Sequence, residues 1–118
     1  MKQKAVNLAD KLTLFSERWS PKIVATYNGN DIMLAKLEGE YVWHKHEDTD
    51  DFFLVLSGHL LIETERGNVE LGPGELYVVP KGVMHRPVAE EEVHILLLEP
   101  AGEPNTGDAA TAAEKVWI

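Results

Sequence analysis

The chain has 118 residues, 11 Lys+Arg against 20 Asp+Glu, and a formal net charge of −9. Its length suits one domain, and so acidic a surface repels nucleic acid and anionic membrane, so neither is expected as a partner. Cysteine is absent, which excludes disulfides, thiolate-held metals and a Cys nucleophile, and leaves any metal site to His and carboxylate.

The first ten residues contain no apolar stretch of the signal-peptide kind, and no run reaches the ~18 apolar residues of a membrane span. A cytoplasmic location is expected. From Asn7 to Arg18, Leu8, Leu12 and Phe15 recur at helical spacing behind an Asn7 cap, which predicts a short helix ended by Ser20-Pro21. Residues 1–20 thus form an N-terminal helical segment.

From Pro21 the pattern changes to short runs of Val, Ile, Leu, Tyr and Phe between turn residues. Strands are predicted over Lys22–Tyr27, Asp31–Glu38, Tyr41–His46, Phe52–Ser57, His59–Glu65, Asn68–Leu71, Glu75–Val79, His85–Ala89 and Glu92–Glu99. Breaks such as Asn28-Gly29-Asn30, Gly72-Pro73-Gly74 and Pro80-Lys81-Gly82 separate them, and no βαβ alternation follows. This reads as an all-β sandwich or barrel over residues 21–99. The stretch 100–118 reads as a tail lying over the surface, in which Val116-Trp117-Ile118 docks as a last strand or hook.

Five histidines are present: His44, His46, His59, His85 and His94. Residues two apart on a strand share a face, so His44 and His46 project to one side together with Val42, while Tyr41, Trp43 and Lys45 project to the other. Two such imidazoles form a natural pair of metal ligands. Asp51 follows and opens an apolar strand ending at Gly58. Farther on, Gly74, Pro80, Gly82 and His85 mark a tight turn that leads back into a strand. His59 reads as a surface residue at a hairpin. His94 reads as a hydrogen-bonded histidine of the core or an interface, and Glu90-Glu91-Glu92 as a solvated turn.

These two segments resemble the two sequence motifs of the cupin family. Gly39, His44, His46, Asp51 and Gly58 are similar to the first motif, and Gly74, Pro80, Gly82, His85 and Ala89 to the second. Gly39 stands one residue closer to His44 than the family pattern has it. Asp51 stands where the family has Glu, and Ala89 where it has Asn. The resemblance implies a double-stranded β-helix, the cupin jelly-roll barrel. It also implies one divalent metal ion (Fe, Mn, Ni, Co or Zn) held inside by His44, His46, Asp51 and His85. Glu47, Asp48 and Asp50 lie beside Asp51 as alternative carboxylates.

Phe53 and Val55 continue the face of Asp51, and Met33 and Met84 are expected as adaptable walls, so the pocket should suit a small organic ligand. Tyr77, Lys36 and Arg86 are the candidates for a general base. The expected function is a metal-dependent enzyme on a small molecule, dioxygenase-like or isomerase-like. The other reading is a non-catalytic module that binds a small ligand or metal. Outward Tyr41 and Trp43 call for a cover, and with the resemblance they predict a homodimer.

Overall fold

The computed structural model describes residues 4–118. One short helix, α1 (Leu8–Leu12), precedes eight strands. These are β1 (Lys22–Tyr27), β2 (Asn30–Glu40), β3 (Asp51–Ser57), β4 (Leu60–Thr64), β5 (Gly67–Leu71), β6 (Leu76–Val79), β7 (His85–Pro100) and β8 (Val116–Trp117). The order β5-β4-β7-β2-β1-β8, with β3 joining β7 to β6, is the cupin jelly roll anticipated from the motifs. Among the described residues, no helix is long and apolar enough to cross a membrane.

Strand β7 organises the fold. Its first residues pair with β4, its last with β3, and β2 runs antiparallel beside nearly all of it. Two strands were expected here, over His85–Ala89 and Glu92–Glu99. Instead one continuous 16-residue strand forms. The acidic run Glu90–Glu92 is a bulge: Leu37 faces Val93 and Gly39 faces Ala89, so three residues of β7 oppose Glu38 alone. A bulge bends a strand without ending it. That bend carries β7 from its pairing with β4 to its pairing with β3, while the three carboxylates stay exposed.

Alternation fills the interior. Met33, Ala35 and Leu37 from β2, Phe53 and Val55 from β3, and Val93, Ile95 and Leu97 from β7 share one buried cluster. Side chains two apart on a strand point the same way, so each strand contributes one row.

The helix is shorter than its spacing suggested. Asn7 caps it, its side chain accepting from Asp10 N at 3.0 Å, but it stops at Leu12. Lys36 Nζ donates to the carbonyls of Leu12 (2.8 Å) and Phe15 (2.7 Å), groups that a longer helix would leave unpaired at its end. Leu8, Leu12 and Phe15 still form one apolar face. It covers Val24 and Leu34 on the outer side of the sheet.

Tyr41–His46 is not a strand. Only one antiparallel bridge forms, between His44 and His85. Regular alternation therefore fails before His44: Val42 is 55% exposed instead of facing inward. Tyr41 turns inward and stacks on Trp19 at 4.6 Å between ring centroids. Trp43 and Lys45 do face out, and the Arg86 guanidinium lies over the Trp43 ring.

Candidate metal centre

Three separate stretches converge at one end of the core. The bridge between His44 and His85 consists of two hydrogen bonds, His44 N to His85 O (3.0 Å) and His85 N to His44 O (2.9 Å). Residues directly opposite in an antiparallel pair project to the same side, so this bridge alone brings the two rings to 4.4 Å between centroids. Two residues beyond His44, alternation returns His46 to the same side, with Lys45 exposed between them.

The turn before His85 is locked to the same place. Gly82 takes φ +80, a region side chains disfavour, and its N–H donates to the His46 carbonyl at 2.7 Å. The Pro80–Gly82 punctuation therefore holds the second stretch against the first. Asp51 begins β3 opposite Val79 on β6, so its short side chain starts close to the histidines.

The four groups form one buried cluster whose donor atoms all lie within 4.8 Å of one another. Two ligands on opposite sides of one ion would be about 4.4 Å apart, so one ion fits the spread. Asp51 Oδ2 is the focus: it lies 2.8 Å from His85 Nε2, 3.3 Å from His46 Nε2 and 3.9 Å from His44 Nε2. His44 Nδ1 donates to Val42 O and His85 Nδ1 to Val83 O, both at 2.9 Å. A carbonyl only accepts, so these nitrogens carry protons, and in the neutral rings both Nε2 atoms are left with lone pairs. A lone pair and a carboxylate oxygen 2.8 Å apart repel unless a proton or a cation lies between them. His46 Nε2 and Asp51 Oδ1 are also buried without hydrogen-bond partners. Orphaned acceptors of this kind, nitrogen-rich and inside a core, fit a divalent ion.

The neighbouring carboxylates do not reach the cluster. Asp50 Oδ1 accepts from Lys81 N at 3.0 Å, Glu47 pairs with Lys45, and Asp48 is exposed. His59 is exposed, and His94 is half-buried against Glu92 Oε2 at 2.9 Å.

Charges in the cluster respond to burial and to one another. Burial pushes His44 down to about 4. Burial also works against the charged form of His46, but the Asp51, Glu99 and Glu103 carboxylates outweigh it and hold His46 above its ordinary value. Burial opposes ionisation of Asp51 as well, yet His46 and His85 bring it down to about 2.

Beside the cluster lies a pocket. Its walls are mostly apolar, with Phe53, Leu37, Ile95 and Leu97 on the strands and Trp19 over the top. Val55 lies in the core below it, and neither Met33 nor Met84 lines it: Met33 is sealed in the core. None of the three residues considered as a general base lines it either. Lys36 is spent on the two carbonyls below α1, Arg86 on Glu40 and Glu63, and Tyr77 packs against the core.

The polar groups that do line the pocket, besides His44 and Asp51, are Tyr41, Glu99 and Asn105. Asn105 Nδ2 donates to Tyr41 Oη at 2.9 Å, and burial pushes the Tyr41 hydroxyl up to about 12. Glu99 had a signal in the sequence, since it continues the inward row of Ile95 and Leu97. Asn105 had none, because it lies on an irregular segment. Burial, reinforced by Asp51, raises Glu99 to about 7, although Lys115 Nζ lies 3.0 Å from its Oε2.

A β jelly roll with a buried three-histidine, one-aspartate cluster defines a cupin-type protein. The Cupin domain model matches residues 32–99, more than half of the chain, and the chain belongs to that family. It is similar to a cupin-2 domain protein of Shewanella frigidimarina, with 47% identity and a TM-score of 0.79 over 80% of this chain and 93% of the other. It is 38% identical over 64 residues to the uncharacterized protein YdbB of Bacillus subtilis, a match that covers 53% of this chain and 57% of that relative. The fold is shared with hydroquinone 1,2-dioxygenase from Sphingomonas sp. TTNP3, at 20% identity and a TM-score of 0.75 over 84% of this chain and 33% of that one.

The raised Glu99 makes a stability prediction. The native state keeps this carboxyl protonated to a higher pH than the unfolded chain does. Its contribution is complete below about pH 4.5 and is lost as pH rises through about 7. In metal-free protein, Glu99→Gln should therefore gain stability relative to the unsubstituted chain between pH 5 and pH 8, read by denaturant unfolding. An equal difference at both values would refute it.

Proposed function

We propose that the chain holds one divalent metal ion through His44, His46, Asp51 and His85, and acts as a metal-dependent, dioxygenase-like enzyme on a small organic molecule. The observation that supports this reading is the convergence of these four buried side chains, with donor atoms all within 4.8 Å of one another and Asp51 Oδ2 2.8 Å from His85 Nε2. Bound there, the ion would polarise a substrate oxygen or activate water or dioxygen.

The pocket narrows the ligand class. Among the described residues neither Lys nor Arg lines it, so a phosphate or a free carboxylate would find no cationic side chain from them there. This weighs against an isomerase acting on a phosphorylated sugar. Trp19, Tyr41 and Phe53 instead offer aromatic surface, and Glu99 and Asn105 offer hydrogen bonds at the rim. A neutral, flat molecule with one or two oxygens fits those walls. The Sphingomonas hydroquinone dioxygenase has been crystallised with 4-nitrophenol, and a second hydroquinone 1,2-dioxygenase, 17% identical, with Fe3+. Both lend weight to iron and to phenolic ligands.

Metal analysis after loading with Fe, Mn, Ni, Co or Zn should find one ion per chain. His44→Ala with His46→Ala should abolish loading, and retention of a stoichiometric ion would refute the ligand assignment. Loading should weaken as pH falls, because a protonated imidazole cannot coordinate and the carboxylates around His46 hold it above the usual 6.5. Equal affinity at pH 5 and pH 8 would contradict it.

The Fe(II)-loaded protein should consume oxygen with some member of a panel of hydroquinones, catechols, diketones and thiols. Tight binding without turnover, whatever the metal, would make it a binding module instead.

A second copy of the chain is the partner we propose. Tyr41 no longer supports this, since Trp19 covers it within the chain. The support is the outer side of β3 and β6, where Phe52 faces Val78 and Leu54 faces Leu76 across the ladder. Leu76 is 55% and Val78 38% exposed. Sedimentation at tens of micromolar should show a dimer that Leu76→Glu converts to monomer; a monomeric unsubstituted chain would end the idea.

A further inference from the structure

A histidine that holds a metal is oriented by whatever its second nitrogen bonds to. For His44 and His85 that partner is local, the backbone carbonyl two residues upstream. His46 differs. Its Nδ1 is buried and makes no hydrogen bond among the described residues. It faces Glu103 Oε2 at 3.6 Å, just beyond hydrogen-bond reach. The side chain of His46 is 1% exposed and that of Glu103 20%, so little water intervenes.

Glu103 is held in place by the segment that follows β7. Its N–H donates to Pro100 O at 3.0 Å. Farther along, Gly107 (φ +76) lies so close over the Lys45–His46 segment that a Cβ there would collide with the Lys45 carbonyl. Asn105 ties the same segment to Tyr41 Oη and, through its own Oδ1, to Ala113 N. The segment is therefore pressed against the peptide that joins Lys45 to His46.

We infer that Glu103 is the positioning residue for His46: when the metal is bound, its carboxylate accepts the His46 Nδ1 proton and so keeps Nε2 turned to the ion. This rests on the metal reading above. Glu103 is not itself a ligand, because it faces Nδ1 and the imidazole ring stands between it and Asp51. It also supplies charge. Three neutral imidazoles and one carboxylate leave a divalent ion with one uncompensated positive charge, and Glu103 places a negative charge behind the ligand that has no local partner. The pocket rim and the metal centre then share one element, since Asn105 stands two residues away.

The test titrates the whole chain with Co(II) against a chromophoric chelator. Glu103→Ala should weaken Co(II) about 10- to 100-fold. Glu103→Gln, whose amide oxygen also accepts a proton, should recover most of that loss. In a His46→Ala background, Glu103→Ala should add nothing further, because its effect passes through that ring. Melting of the metal-free variants gives an independent check, and Glu103→Ala should leave it close to the unsubstituted chain. Unchanged Co(II) affinity in Glu103→Ala would overturn the inference while leaving the metal reading intact. So would losses that simply add in the double variant, or a Glu103→Gln as weak as the alanine. Failure of the unsubstituted chain to bind Co(II), Fe(II) or Zn(II) would overturn both.

Discussion

A carboxylate inside an apolar core is the constraint around which this molecule is arranged. Asp51 is 3% exposed and ionised, and an unpaired charge so placed would cost many kcal/mol. Set around it are three imidazoles, none of them adjacent to it in sequence. Their nitrogens converge on a single oxygen, and two of them present lone pairs to it. The cluster is electrostatically incomplete unless a cation or protons enter it. The barrel around it is a means of holding four groups of this kind against their mutual repulsion.

The backbone supplies most of the rigidity. A single two-hydrogen-bond bridge aligns His44 with His85, and the Gly82 turn is hydrogen-bonded to His46. Each attaches the second stretch to the first through the main chain. The bulge at Glu90–Glu92 has a comparable role at larger scale. It bends β7 so that residues from His85 to Glu99 reach both β4 and β3, with a cluster residue at one end and a pocket carboxyl at the other.

Apart from Glu99, the polar rim of the pocket lies outside the strands. Trp19 sits at φ +59 after the helical segment and donates its indole N–H to Glu38 O, which sets the ring over Tyr41. Glu103 and Asn105 approach from the opposite end of the chain. Residues 19, 41 and 105 thus meet over one opening.

Much of this was readable without coordinates. The strand runs, the glycine and proline breaks, and the pairing of His44 with His46 follow from a period of two and from turn chemistry. The resemblance of two motifs then named His85 and Asp51. Local rules failed where a distant group intervened. Lys36 takes the carbonyls that would have prolonged α1. Tyr41 and Val42 exchanged their expected sides because the segment joins the sheet through only one bridge. Composition and periodicity determined the architecture and which residue types were available for a metal, because both act between near neighbours. Tertiary structure alone decided that Glu103 and Asn105 border the site, because their placement depends on chain closure across the barrel, which no local spacing encodes.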